Sequence, residues 1–223
     1  MSKKVHIIGS IDYFYLALED RLKRSRAVIV ASPNEADITI GIDTKSKCDI
    51  LIIPGSSNNY NSNIVISIYD LLIPEGKSKW SSNVIHTWLN WIEGNTGQIP
   101  DNEVHYWVHM RDAVEVISMI ILSDKFHTIE GNIELCGRRA WLTSEVFDEL
   151  DMLLKRYNNS VNHSHTAESL SQIPNPVKEN NKEIRKRPDL SSLNKEIIRA
   201  GGDGWHPLTP LRTGLMELLA QNL

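Results

Sequence analysis

Few residues in this 223-residue chain have the type and spacing to do chemistry, and Gly9 is the first of them. It closes the apolar run Val5, Ile7 and Ile8, and Phe14, Leu18 and Leu22 follow at a four-residue spacing. That pattern predicts a buried strand, a glycine turn and an amphipathic helix, an arrangement that aims a helix N-terminus at a phosphate. A dinucleotide needs two further glycines here, so that the main chain reaches the pyrophosphate and the helix lies close to the strand. Asp12 and Tyr15 stand in those places. A carboxylate about 4 Å from a bound pyrophosphate, at an effective dielectric near 20, is repelled by about 4 kcal/mol per charge pair. The helix N-terminus returns only about 0.3–1 kcal/mol to an anion, about 2 at best. Asp12 also caps the helix itself. The anion site is thus filled from within, and Gly9 is left as the sole cofactor-binding candidate.

His105 and His109 have the four-residue spacing of a helical metal pair, but they lie in a stretch that reads as a strand. There they share a face nearly two pleats apart, with no accompanying carboxylate motif, so both read as ordinary core or surface histidines. His163 and His165 sit in a polar stretch with no further ligands. Cys48 and Cys136 show no metal-type spacing and have apolar neighbours, the pattern of reduced, buried thiols in a cytoplasmic protein. Arg185, Lys186 and Arg187 read as a solvated basic turn. The six tryptophans fall mostly on apolar faces and read as core.

These residues must be positioned by a series of short elements. Ala27 to Ala31 is a second strand, followed by Ser32-Pro33-Asn34 where a dinucleotide fold carries its ribose-binding acid. The apolar runs 37–42 and 49–55 are separated by too few residues for a crossover helix between parallel strands. One of them is then an edge strand, or the first forms a hairpin with strand two. Ile64 to Tyr69 is a further strand, and a helix carries Val84, Ile85, Trp88, Leu89 and Ile92. His105 to His109 reads as a strand ahead of a helix capped by Asp112. Residues 131–137 read as a strand, and Thr143 or Ser144 caps a helix bearing Val146, Phe147, Leu150, Leu153 and Leu154. From 158 to 181 the chain is polar and aperiodic, a loop or excursion. A short helix near 193–200 follows. Thr209 then caps a last helix with Pro210 at its first position and Leu211, Leu215, Leu218 and Leu219 inward.

The net charge of −4 offers no general attraction to nucleic acid or anionic membranes. No apolar run approaches the roughly 20 residues of a membrane span, and the amino terminus enters a strand directly, with no cleavable signal.

Three stretches resemble the extended branch of the short-chain dehydrogenase/reductase family, which contains nucleotide-sugar epimerases, dehydratases and reductases. Val5 to Leu22 is similar to its opening strand, turn and helix. Val108 to Val114 resembles its late strand-to-helix signature, a His with an Asp three residues on. Arg187-Pro188-Asp189, with Gly204-Trp205-His206-Pro207-Leu208-Thr209-Pro210-Leu211 and Gly214-Leu215, resembles its carboxy-terminal segment. The resemblance implies an α/β fold with a largely parallel, Rossmann-like sheet, helices on both faces and a reduced C-terminal lobe. Residues 1–130 would form the Rossmann-like domain, shortened in the middle. Residues 131–223 would form the small lobe with the polar loop 158–181 and the final helix. It also implies that Arg185 and Arg187 lie where the family holds substrate phosphates, by bidentate contact.

The family's catalytic pair is a Tyr with a Lys four residues later, the Lys lowering the phenol's pKa. None of the six tyrosines here has such a Lys. Trp80 and Val84 occupy the two places, and neither side chain exchanges a proton near neutral pH. Ser67 and Tyr69 fall near the family's hydrogen-bonding Ser. No catalytic residue and no cofactor are therefore assigned. The expectation is a non-catalytic binding protein for a nucleotide or nucleotide-sugar, or a partner subunit. It would pair as a homodimer or with another chain through the 80–93 helix, where Trp88 and Trp91 lie three apart. The alternatives are an active NAD(P)-dependent enzyme with other acid/base residues, and a ligand-free interaction module.

Overall fold

A computed structural model describes residues 2–55, 62–75, 80, 83–101, 103–167 and 186–222. In chain order its elements are β1 (Lys4–Gly9), α1 (Tyr13–Arg24), β2 (Val28–Ile29), β3 (Ile38–Ile42), β4 (Ile50–Pro54), β5 (Ile64–Ile68), β6 (Leu71–Leu72), α2 (Asn83–Glu93), β7 (Val104–His105), β8 (Val108–His109) and α3 (Met110–Leu122). Then come β9 (Gly131–Leu135), β10 (Trp141–Leu142), α4 (Thr143–Val161), α5 (Ser191–Arg199) and α6 (Leu211–Asn222).

The main sheet is parallel throughout, in the order β2-β1-β3-β4-β5-β9. Its register aligns Val5 with Ile38, Ile40 with Ile50, Ile50 with Ile64 and Ile66 with Ile133. Strand side chains alternate between faces, so this register gathers the isoleucines onto one face. That face packs against Phe14, Leu18 and Leu22 of α1, the stripe from Ala113 to Ile121 of α3, and Leu193 and Ile197 of α5. The Rossmann-like α/β reading therefore holds. On the opposite face a smaller cluster forms from Cys48, Leu51 and Ile53, with Val65 against it. A further cluster joins α2, α4 and α6 around Trp88, Leu150 and Leu215.

Several local expectations change. The runs around β3 and β4 are neither hairpin nor edge: the two strands lie side by side, parallel, in the middle of the sheet. Residues 43–49 make the return without a helix. Seven extended residues reach roughly 23 Å, enough to recross a five-residue strand. Gly41 explains how the segment fits, because a Cβ there would stand 2.6 Å from Cys48 Sγ and 2.7 Å from Thr44 Cγ2.

The 105–109 strand is two short strands in separate small sheets. The Asp70 carboxylate accepts Tyr106 N–H at 2.7 Å, and the Asp70 carbonyl accepts Val108 N–H at 3.1 Å, which turns the chain between them. His109, not Asp112, caps α3: its Nδ1 accepts Arg111 N–H at 3.1 Å. Asp112 instead accepts from Thr209 N–H at 2.9 Å and Thr209 Oγ1 at 3.2 Å, so Thr209 ties two segments together and does not cap the last helix. That helix begins at Leu211, with the Pro210 carbonyl accepting the N–H groups of Thr213 at 3.0 Å and Gly214 at 3.3 Å. Leu142 precedes α4, its N–H donating to Glu145 Oε2 at 3.0 Å, while Thr143 donates to the Glu103 carbonyl.

Helix α4 runs through Val161, so residues 158–161 are helical and not loop; residues 168–181 of the expected excursion lie outside the described residues. Gly131–Leu135 is the edge strand of the main sheet, and α2 packs with α4 and α6. The two large clusters thus interleave along the chain. Among the described residues no helix is long and apolar enough to cross a membrane.

Candidate functional site

In open α/β sheets ligands bind beyond the carboxyl ends of the strands, where the strand order reverses. Here that point lies above β1 and β3, with β4 alongside. The crevice is occupied by the chain itself. Asp12 Oδ1 accepts Tyr15 N–H at 2.9 Å, capping α1, and Asp12 Oδ2 accepts the Trp80 indole N–H at 3.1 Å. The Trp80 ring packs on Phe14 with centroids 4.7 Å apart and is 3% exposed. The space left among Ser10, Asp12, Ile42, Asp43, Pro54 and Trp80 is about 20 Å³. One water fits such a volume, whereas small-molecule pockets span about 300–1,000 Å³.

Gly9 has a structural reason independent of any ligand. Its φ is +156°, and a Cβ there would stand 2.6 Å from the Ile42 carbonyl oxygen, so only glycine lets β1 end this close to β3. Val84 packs half-buried in the α2–α4–α6 cluster, away from the Trp80 contact with Phe14. Ser67 is buried and donates to Asn132 Oδ1 at 3.1 Å, and Tyr69 OH donates to Glu134 Oε1 at 3.0 Å. Both bonds link the β5 and β9 regions across the sheet. Arg185 lies outside the described residues. Arg187 is exposed and donates to the Arg138 carbonyl at 3.3 Å.

Arg138 opens onto a feature that the sequence reading did not assemble. A groove of about 500 Å³ is walled by Trp107, Arg138, Arg139, Trp141, His206 and Arg212, among others. Strand β10 pairs antiparallel with β7 and sets Trp141 opposite His105. Gly137 N–H donates to the Tyr106 carbonyl at 2.7 Å and brings the arginine turn against Trp107. The Arg139 guanidinium lies 3.9 Å over the Trp141 ring. Arg138 Nη1 donates to His206 Nδ1 at 2.8 Å, and Arg212 pairs with Glu149 at 3.1 Å. Chemically the groove is cationic, with aromatic walls. The signal in the sequence was the adjacent Arg138-Arg139 two residues before a tryptophan.

The histidines are used internally. His105 Nδ1 lies 2.9 Å from Asp70 Oδ1, and its ring stands between Trp88 and Trp107. Trp88 is buried and Trp91 is half-buried on the same cluster, so most of the α2 stripe is consumed within the chain. Among the described residues no group of three His, Cys, Asp or Glu side chains is placed to hold a metal ion.

His109 is buried where Gly214 admits α6 closely, and its Nε2 stands 3.3 Å from Glu217 Oε2, out of line for a hydrogen bond. Burial pushes its pKa below the ordinary 6.5, against the attraction of Glu217. The folded site therefore stays neutral while an unfolded chain takes up a proton below about pH 6.5, and stability is lost as pH falls through that range. The urea midpoint of His109→Gln is expected to vary less than that of the wild type between about pH 7.5 and about pH 5.5. Parallel curves for the two proteins would count against this assignment.

No protein-family model matches the chain, and no curated protein matches it. Solved structures do. RMD from Pseudomonas aeruginosa, complexed with NADPH, aligns at a TM-score of 0.60 and 9% identity over 99% of this chain and 97% of that one. A UDP-galactose 4-epimerase aligns at 0.58 and 10% over 99% of both chains. A dTDP-glucose 4,6-dehydratase from Bacillus anthracis, in complex with NAD, aligns at 0.58 and 10% over 99% and 96%. With its parallel six-stranded sheet and this end-to-end likeness at 9–10% identity, the chain shares the Rossmann-type α/β fold of these solved structures.

Proposed function

We propose that this protein is a coenzyme-free, non-catalytic relative of the NAD(P)-dependent nucleotide-sugar epimerases and dehydratases. It acts by holding a nucleotide or nucleotide-sugar, or as a partner subunit. The observation that carries this reading is the Asp12–Trp80 contact, which fills the crevice at the strand reversal and leaves about 20 Å³. A coenzyme there would displace a buried indole and face a carboxylate. The repulsion of about 4 kcal/mol per charge pair corresponds to roughly a thousandfold in affinity. Cys48 and Cys136, both buried among apolar side chains, support a reducing compartment such as the cytoplasm.

The competing reading, an active NAD(P)-dependent enzyme, is favoured by the coenzymes bound to the neighbours just described. Titration of the purified chain with NADH and NADPH, followed by ligand fluorescence, separates the two. The expected result is no saturable binding. A Kd below about 10 μM, worth roughly 7 kcal/mol, would defeat the coenzyme-free reading.

A further inference from the structure

We propose that the junction of His109 with the last helix, α6, is a proton-operated latch: mild acid releases α6 while the main sheet stays folded.

One buried ring holds two elements together. His109 Nδ1 accepts Arg111 N–H at 3.1 Å and so caps α3. A main-chain amide can only donate, so that nitrogen presents its lone pair and the ring's hydrogen is on Nε2. Nε2 stands 3.3 Å from Glu217 Oε2 of α6, out of line for a hydrogen bond. The helix rests directly on the ring because residue 214 is glycine. A Cβ there would stand 2.9 Å from His109 Cδ2 and 2.3 Å from Leu72 Cδ2. Any turn of the ring is therefore felt by α6.

A second proton can go only to Nδ1. There it meets the Arg111 N–H, donor against donor, so the cap bond is lost and the ring must turn or the helix lift. The charges around the ring do not reverse this. Strand β8, which carries His109, packs against β6, α3 and α6. From α3, Arg111 opposes the proton and Asp112 favours it; from α6, Glu217 favours it. Glu217 is itself paired with Arg111 at 2.7 Å, and Asp112 is bonded to Thr209. Strand β6 supplies only Leu71 and Leu72, and Asp70 before it is turned to His105 and Tyr106. Burial outweighs the carboxylates and holds the ring neutral below its ordinary 6.5.

Opening the junction lets the ring take up a proton below that value, so the docked state loses stability as pH falls through that range. The open fraction rises by up to about 10-fold between about pH 7.5 and about pH 5.5. Leu215, Leu218 and Leu219 of α6 share a cluster with Leu72, Trp88 and Leu150, so release also uncovers apolar surface. The sheet and α1 belong to a separate cluster, which is why they can remain in place.

The test is hydrogen–deuterium exchange of the whole chain at the two pH values, corrected for the intrinsic pH dependence of amide exchange. Protection of residues 211–219 is expected to fall about 10-fold on acidification. At the lower pH it should lie at least about 10-fold below that of strands 38–42 and 50–54, as local opening requires. His109→Asn supplies an uncharged cap of a favoured type and should show equal protection of α6 at both pH values. Glu217 is partly exposed, so Glu217→Gln is expected to fold. It should keep the fall or enlarge it, because a carboxylate that favours the proton in the docked state is gone. Three results would overturn the latch: no fall in the wild type, a fall that persists in His109→Asn, or α6 no less protected than the strands. A fall lost in Glu217→Gln would do the same, by making Glu217 the titrating group.

Discussion

Replacing Phe14 with alanine is expected to lower stability by about 3–5 kcal/mol, the usual cost of emptying a buried aromatic site. For a chain of this length that is a fall in Tm of roughly 6–20 °C. Phe14 is fully buried in the first turn of α1, on the face that meets the isoleucines of the sheet. It is also the ring on which Trp80 rests. Truncation therefore removes both part of the core and the support of the side chain that closes the crevice. Calorimetry on the variant measures the first effect, and quenching of tryptophan fluorescence by a neutral quencher measures the second. A loss below about 1 kcal/mol, with no increase in quenching, would mean that the α1–sheet contact does not hold Trp80 in place.

A second variant, Gly137→Ala, should be as damaging for a different reason. A Cβ at this position would stand 2.1 Å from the Trp107 carbonyl oxygen, 2.8 Å from the Trp107 carbonyl carbon and 3.0 Å from the Tyr106 oxygen. All three are main-chain atoms, so no side-chain rotation relieves the contact. The two segments must part, and the Gly137 N–H bond to Tyr106 goes with them. Overpacking of about 1–3 kcal/mol plus a lost hydrogen bond of about 0.5–1.5 kcal/mol puts the expected cost near 3 kcal/mol. The two substitutions also differ in what else they change. Gly137→Ala parts the 137–138 turn from Trp107 and disturbs the groove wall that they share, whereas Phe14 lies in the other cluster, against the sheet. A Gly137→Ala protein with native stability would refute the described approach of these segments.

Much of the fold was legible because it is written in local patterns. Val5, Ile7, Ile38, Ile40, Ile50, Ile52, Ile64 and Ile66 alternate with other residues, and all of them fall on the same face. Asp12 was legible as a cap because its partner, Tyr15 N–H, lies three residues away. Its second partner was not, since Trp80 is separated from it by 68 residues. The parallel pairing of β3 with β4 was missed because the rule against short crossovers presumes a helix, and the sequence does not announce that Gly41 leaves a channel for Cys48. Asp112 and Thr209 were each read as caps because both carry cap-forming side chains; in the structure they bond to each other across 97 residues. The groove was missed for the same reason. Arg138 and Arg139 are neighbours in the chain, but Trp107, His206 and Arg212 reach them only through tertiary packing.

The helix-free return between β3 and β4 bears on how the protein acquires its shape. Joining neighbouring parallel strands through a helix means closing a loop of roughly 25 residues before any pairing is gained. A seven-residue closure costs about 1 kcal/mol less in chain entropy, by the logarithmic dependence on loop length. Strands 38–42 and 50–54 can meet while the distant partners 131–135 and 28–29 are still unplaced. The centre of the sheet is thereby suited to assemble first, as a template that the edge strands and the helical layer join afterwards.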